Sequence, residues 1–153
     1  KSHGVSYNSG HRLLGLYYHS LKDYKRQRDS LIIATQRGRY KNSAVILLSL
    51  AQSYGHFKQY SSALKVLRKA EMKMGSEKGS IKANIYKTYA EYARLLYIAQ
   101  KARNPRGANT SLLDTALSKW QRLKALRGGG SSDGRLADRK IRELEGLKSK
   151  AAR

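Results

Sequence analysis

The sequence predicts an all-α fold of stacked antiparallel helical hairpins with an extra C-terminal helix. Three observations predict it: apolar residues recur at helical rather than alternating spacing, glycines and the single proline fall where hairpin turns belong, and one stretch of the chain repeats another at a fixed offset. At 153 residues with 40% hydrophobic composition, the chain is long enough for one domain with a real core.

Six helices and a final helical segment follow from the pattern. The first runs from about Ser9, an N-cap residue, to His19, with Leu14, Tyr17, Tyr18 and Leu21 on one face. A second covers Tyr24–Gln36. The turn Arg37-Gly38-Arg39-Tyr40-Lys41-Asn42 leads into Ser43–Tyr54, where Ile46, Leu47, Leu50 and Ala51 recur at helical spacing and Gly55 supplies a stop. This is the most apolar helix and the one expected to be most buried. Tyr60–Met74 comes next, with Ala63, Val66, Leu67 and Ala70 inward, Lys65, Arg68, Lys69 and Lys73 outward, and Gly75 as its stop.

Ser80 is expected to cap a longer helix reaching about Arg103, after which Pro105 breaks the chain. Ser111 and Asp114 are spaced as a capping box for Leu112–Arg127, whose apolar face is Leu113, Ala116, Leu117, Trp120 and Leu123. The stretch 128–134, rich in glycine and serine, reads as a flexible linker. Beyond it Arg135–Ala152 is helical through Ala137, Ile141, Leu144 and Leu147, either as a terminal cap or as a basic tail. The expected organisation is a helical domain over 8–127, a linker over 128–134, and a C-terminal helix or tail over 135–153.

Aligning the chain on itself at an offset of 36 residues brings Gly15 over Ala51, Tyr18 over Tyr54, Tyr24 over Tyr60 and Ala34 over Ala70. Leu14-Gly15, Tyr18, Tyr24 and Ala34, then Leu50-Ala51, Tyr54, Tyr60, Ala63 and Ala70, resemble the tetratricopeptide repeat signature of Leu-Gly, Tyr, a second aromatic and two small residues. The resemblance covers about residues 8–77. Gln27 departs from it where a small residue is usual, Gly75 stands where a proline is usual, and only Ala90 and Ala116 echo it later. It implies about three degenerate hairpins in a right-handed solenoid, with the first helix of each pair lining a concave groove, and it implies binding rather than catalysis.

Charge narrows the partner. Lys and Arg number 32 against 10 Asp and Glu, a net charge of +22 that is far beyond what solubility needs. No acid occurs from Lys1 to Lys22, from Ser30 to Ala70, or from Tyr92 to Leu113. Cysteine is absent, which excludes disulfides, thiolate metal sites and a cysteine nucleophile. No apolar run reaches the ~20 residues of a membrane span, so no transmembrane segment is expected. The expected setting is intracellular, cytoplasmic or nuclear ahead of organellar; since the first residue is Lys1 rather than Met, a preceding targeting segment remains compatible with the chain.

The carboxylates read as solvated surface partners, such as Asp138 with Arg142, rather than as catalytic groups. His11 and His19 lack a neighbouring carboxylate to complete a metal site, and the glycines lack the lysine and strand of a phosphate loop. No enzyme activity, cofactor, metal or small-molecule substrate is expected. The resemblance places groove positions at Arg12, Leu16 and His19, then at Leu48, Gln52 and His56, and, if the third hairpin keeps register, at Asn84, Lys87, Glu91 and Arg94. These depart from the lysine and asparagine pattern with which such grooves grip acidic C-terminal tails.

Positive charge instead concentrates on second helices and turns: Lys22, Lys25, Arg26 and Arg28; Arg37, Arg39 and Lys41; Lys65, Arg68, Lys69 and Lys73; Arg122, Lys124 and Arg127. Cations on a rigid helical surface neutralise phosphates and release counterions without reading sequence. Among 11 tyrosines, Tyr40, between Arg39 and Lys41, is the one best placed to stack on an unpaired base, whereas Tyr86, Tyr89, Tyr92 and Tyr97 read as packing residues between hairpins. The expected function is a binding module that docks on RNA within a ribonucleoprotein, leaving the groove for a protein segment. A scaffold that binds an acidic protein or peptide is the rival, and a membrane-surface role for Arg135–Arg153 is a third reading.

Overall fold

Helix-forming periodicity without alternating runs gives an all-α chain. The computed structural model describes residues 14, 23–36 and 43–152, and among these there is no strand. Its helices are α1 (Tyr24–Gln36), α2 (Ala44–His56), α3 (Tyr60–Lys73), α4 (Gly79–Arg103), α5 (Ser111–Arg127) and α6 (Ser132–Ala151). Of the helix expected over Ser9–His19, only Leu14 is described; it is helical and 43% exposed rather than turned inward. The turn 37–42 lies outside the described residues. The chain divides into two units, Lys1–Glu77 and Lys78–Arg153, so the division falls after α3 and not at the 128–134 stretch.

In the first unit α1 packs on α2 and α2 on α3. Leu31 and Ala34 of α1 meet Ile46 and Leu50 of α2, with Ile32, Tyr54 and Val66 packed against them. Ala34, Ala51, Ala63 and Ala70, the small residues of the repeat pattern, are all fully buried, which lets the helix backbones approach closely. The Ser43 hydroxyl accepts the Ile46 N–H at 3.3 Å and starts α2. Gly55 does not stop α2. The helix continues to His56, and the reversal is made by Lys58, whose φ of 57° is left-handed. The Lys58 N–H donates to the Gly55 carbonyl at 3.0 Å and the Gln59 N–H to the Tyr54 carbonyl at 3.0 Å, the paired bonds of a Schellman cap with lysine where glycine is usual.

Gln27, the departure from the repeat pattern, is buried against Ser53, itself fully buried. The Ser53 hydroxyl lies 2.9 Å from Gln27 Oε1 and 3.1 Å from the Ser49 carbonyl, and it can donate to either. A long polar side chain is thus tolerated in an apolar contact because a small hydroxyl on the facing helix meets it.

In the second unit α5 packs against both α4 and α6. Leu113, Ala116, Trp120 and Leu123 of α5 are buried, as are Ala137 and Leu144 of α6, while Ile141 and Leu147 are half-buried. The apolar stripe read from the sequence therefore holds α6 onto α5. Neither of two expected caps is made. α4 starts at Gly79, before Ser80, with no side-chain cap. At α5 it is Asn109 that caps: its Oδ1 accepts from the Ser111 N–H at 3.0 Å and the Ser111 hydroxyl at 2.6 Å, so Ser111 becomes the first helical residue.

The glycine-rich stretch is a tight turn rather than an unstructured spacer. Gly128 takes a φ of 90° at the end of α5, and Ser131 caps α6, its hydroxyl accepting the Gly134 N–H at 2.9 Å and donating to the Gly128 carbonyl at 2.7 Å. Consequently α6 begins at Ser132, three residues ahead of Arg135, where the pattern placed it. Gly134 is obligatory here: a Cβ would stand 2.1 Å from the Gly128 carbonyl oxygen and 2.9 Å from Gly129 Cα.

Two stability predictions follow from these contacts. Gly134→Ala should cost about 1–3 kcal/mol, because the clash is with backbone, whereas Gly146→Ala, where nothing stands in the way, should be neutral or stabilising in chemical denaturation. Ser53→Ala should cost about 1–3 kcal/mol by leaving Gln27 Oε1 without its facing hydroxyl, and adding Gln27→Leu should recover much of that loss. Additive losses in that double-mutant cycle would show that the two side chains do not interact.

Candidate nucleic-acid interface

The cations predicted to meet phosphates fall into three structural situations. On α3, Lys65, Arg68, Lys69 and Lys73 are all exposed, because Ala63, Leu67 and Ala70 point the other face inward. Among the described residues none of the four makes an ion pair. Met72 stands between them, 73% exposed. The stripe runs over nine residues of helix, Lys65 to Lys73, about 12 Å at 1.5 Å of rise per residue.

On α1 the cations are partly committed. Lys25 and Arg26 are exposed, but Arg26 Nε lies 3.6 Å from Asp23 Oδ2, and the Arg26 N–H donates to Asp23 Oδ1 at 3.2 Å as part of the helix start. Arg28 is a brace rather than a free cation. Its Nη1 donates to Gln59 Oε1 at 3.1 Å, its guanidinium lies 4.9 Å from the Phe57 ring centroid, and its Nε approaches Asp29 Oδ1 at 3.4 Å. It ties α1 to the turn between α2 and α3. Arg37, Arg39, Tyr40 and Lys41 lie outside the described residues.

In the second unit two of the three predicted cations, Lys124 and Arg127, are paired with acids. Lys124 Nζ binds Asp138 Oδ1 at 2.8 Å, Arg127 Nε binds Asp133 Oδ2 at 3.1 Å, and Lys148 Nζ binds Asp114 Oδ1 at 2.6 Å. These three pairs run along the antiparallel contact of α5 and α6. Asp138 therefore reaches across to α5 instead of serving Arg142 on its own helix, and the end of α5 loses much of its expected attraction for phosphate.

The groove positions divide likewise. Arg12 and His19 lie outside the described residues. Gln52 and His56 are exposed on one face of α2, and the His56 ring stacks on Tyr24 at 3.6 Å between centroids. Lys87 Nζ is held by Asp133 Oδ1 at 2.7 Å, and Arg94 Nε donates to Glu91 Oε1 at 3.0 Å. Lys87 and Glu91 line a recess of about 280 Å³ with Tyr92, Trp120 and Lys140. Its charges are matched internally. The hydrogen bond from Arg94 holds Glu91 below its ordinary pKa of 4.5, against the upward push of burial, with the charges of Arg94 and Lys140 assisting.

Asp133 is the residue that the sequence reading missed. Its side chain is 17% exposed and receives both Lys87 of α4 and Arg127 of α5, in the first turn of α6 where the helix dipole also favours an anion. Those two hydrogen bonds, Lys87 first, hold its carboxyl below the ordinary 3.8. The signal available in the sequence was an acid just after a serine cap, hidden by reading 128–134 as a linker.

Among the described residues, no three of His, Asp and Glu stand close enough to hold a metal ion, and no helix is long and apolar enough to cross a membrane. No family model matches the chain, and no curated protein or solved structure is significantly similar to it.

The Asp133 junction makes a pH prediction. A carboxylate whose folded pKa is depressed contributes stability above its unfolded value, and loses that contribution as pH falls through the folded one. Acidification below about pH 4 should therefore lower the melting temperature. Asp133→Asn should lower it at neutral pH and flatten the acid limb, in circular dichroism melts across that range. A variant whose acid limb matched the parent's would remove Asp133 from this role.

Proposed function

We propose that this chain is a non-enzymatic, basic helical-repeat module of degenerate tetratricopeptide-like hairpins, which docks on RNA as part of a ribonucleoprotein assembly. The observation that carries the reading is the outer face of α3. There Lys65, Arg68, Lys69 and Lys73 stand exposed, with no ion pair among the described residues, on a helix whose other side is locked into the core. A rigid row of uncompensated cations attracts a phosphate backbone and gains affinity by releasing its counterions.

The distribution of the remaining charge favours this face over the groove. Lys87 and Arg94, the groove cations of the second unit, already serve Asp133 and Glu91, so an acidic peptide entering there would have to displace internal partners. The repeat spacing and the full burial of Ala34, Ala51, Ala63 and Ala70 support the hairpin reading. Lys25 and the turn cations Arg37, Arg39 and Lys41 belong to the same proposed contact by their sequence positions.

Binding of a single-stranded RNA, followed by fluorescence anisotropy across a salt series, tests the proposal. Neutralising Lys65, Arg68, Lys69 and Lys73 together with glutamine should weaken binding at every salt concentration and reduce the slope of log affinity against log salt by up to about 3, at roughly 0.7 per lost phosphate contact. Gln52→Ala should leave RNA binding unchanged. Loss of binding with Gln52→Ala, with the α3 variant binding normally, would instead assign the function to the groove and to an acidic protein partner.

A further inference from the structure

The scarce carboxylates leave a concave place in the second unit without a counter-charge among the described residues. A recess of about 310 Å³ lies where the C-terminal ends of α4 and α6 meet the turn that enters α5, and Lys101, Arg106 and Lys150 line it with Tyr97 and Thr110. Among the described residues none of these three cations has a carboxylate partner. Lys101 Nζ lies 5.9 Å from the Tyr97 ring centroid, and Tyr97 itself is buried, which gives the recess a fixed wall. Glu145, the nearby acid on α6, lines a different recess with Lys148.

Part of this clustering is ordinary, since the last turns of α4 and α6 each attract cations through the helix dipole. Arg106 is not explained that way, because it sits in the turn after α4 and belongs to neither helix end. Nor is Thr110 occupied: it stands at the N-cap position of α5 without making a side-chain cap bond, Asn109 having taken that role. Its hydroxyl is thus an available donor beside three cations.

We propose that this recess binds a phosphomonoester group. Such a group carries about −1.5 to −2 charge at neutral pH and three terminal acceptor oxygens, whereas a phosphodiester within a strand carries a single charge. Three cations and a hydroxyl lining one recess match the monoester, and the volume sits at the small end of ligand pockets, suited to a phosphate head with its attached sugar rather than to a large cofactor. The site shares no residue with the α3 face and does not depend on RNA docking there.

Titration calorimetry of the full chain at about 150 mM salt, where long-range attraction is screened, tests it with inorganic phosphate, adenosine 5′-monophosphate and adenosine. The monophosphate should bind, adenosine should bind at least about tenfold more weakly, and Lys101→Gln/Arg106→Gln/Lys150→Gln should lose about tenfold or more in affinity for the monophosphate. The charge-matched variant Lys65→Gln/Arg68→Gln/Lys69→Gln should bind it as the parent does. Inorganic phosphate binding as tightly as the nucleotide would assign a free oxyanion; tighter binding of a 5′-phosphorylated oligoribonucleotide than of its 5′-hydroxyl twin would assign a strand end. Either supports the site.

Equal losses in the two triple variants would reduce the effect to the general field of a basic protein and overturn the proposal, as would absence of monophosphate binding or equal binding of adenosine. Arg106→Gln alone, a change in an exposed turn, guards against misfolding of the triple variant and should still weaken the monophosphate. If it did not, the recess would not be the site.

Discussion

The scarcity of carboxylates is the constraint from which the rest of this structure follows. With 10 acids set against 32 lysines and arginines, the chain cannot neutralise its own surface, so where each acid goes decides which cations remain available. In the second unit the three aspartates go to helix contacts. Asp133 joins α6 to both α4 and α5, while Asp138 and Asp114 fasten α6 along α5. The exposed pairs of Asp138 and Asp114 contribute about 0–1 kcal/mol each, less than the burial of one leucine, so Leu144 and Ala137 hold α6 in place and the pairs fix its register. The cations left over on α3 and around the α4 and α6 ends are those that the acids do not reach.

Small residues supply the second condition. Full burial of Ala34, Ala51, Ala63 and Ala70 sets α1, α2 and α3 close together, and a longer side chain survives among them only where it finds a partner, as Gln27 does in Ser53. Close, alanine-lined packing leaves little room to rotate a helix about its axis. The direction in which α3 presents its cations is therefore set from the inside of the unit, by residues that never touch a ligand.

Much of the fold was legible in the sequence because helical spacing is a property of the local chain. The inward positions of α3 and α5 were readable for that reason, and so was the apolar character of α2. Termini were less legible, since a cap depends on which of several polar residues lies closest: Asn109 displaces Ser111, and Lys58 takes the left-handed position in place of Gly55. The candidate interface divided along the same line. Exposure of Lys65, Arg68, Lys69 and Lys73 follows from the α3 pattern alone. The commitment of Arg28 to Gln59 and Phe57, or of Lys87 to Asp133, is a long-range contact between elements that no spacing rule encodes.

That difference between free and committed cations also bears on what kind of polyanion suits this chain. An acidic peptide is held best in a groove, where apolar anchors and desolvated charges act together. Yet the recess beside Trp120 has its charges already matched by internal carboxylates. A nucleic-acid backbone needs no groove: a row of cations at fixed spacing is sufficient for affinity, and the sugars and bases bring their own apolar surface. On α3 such a row carries one exposed methionine among its cations, Met72, whose burial against that surface would contribute up to about 1.5–3 kcal/mol beyond the electrostatics. The open helix face thus combines the two kinds of contact that a strand of RNA offers, while the recess beside Trp120 offers an acidic peptide little charge that is not already in use.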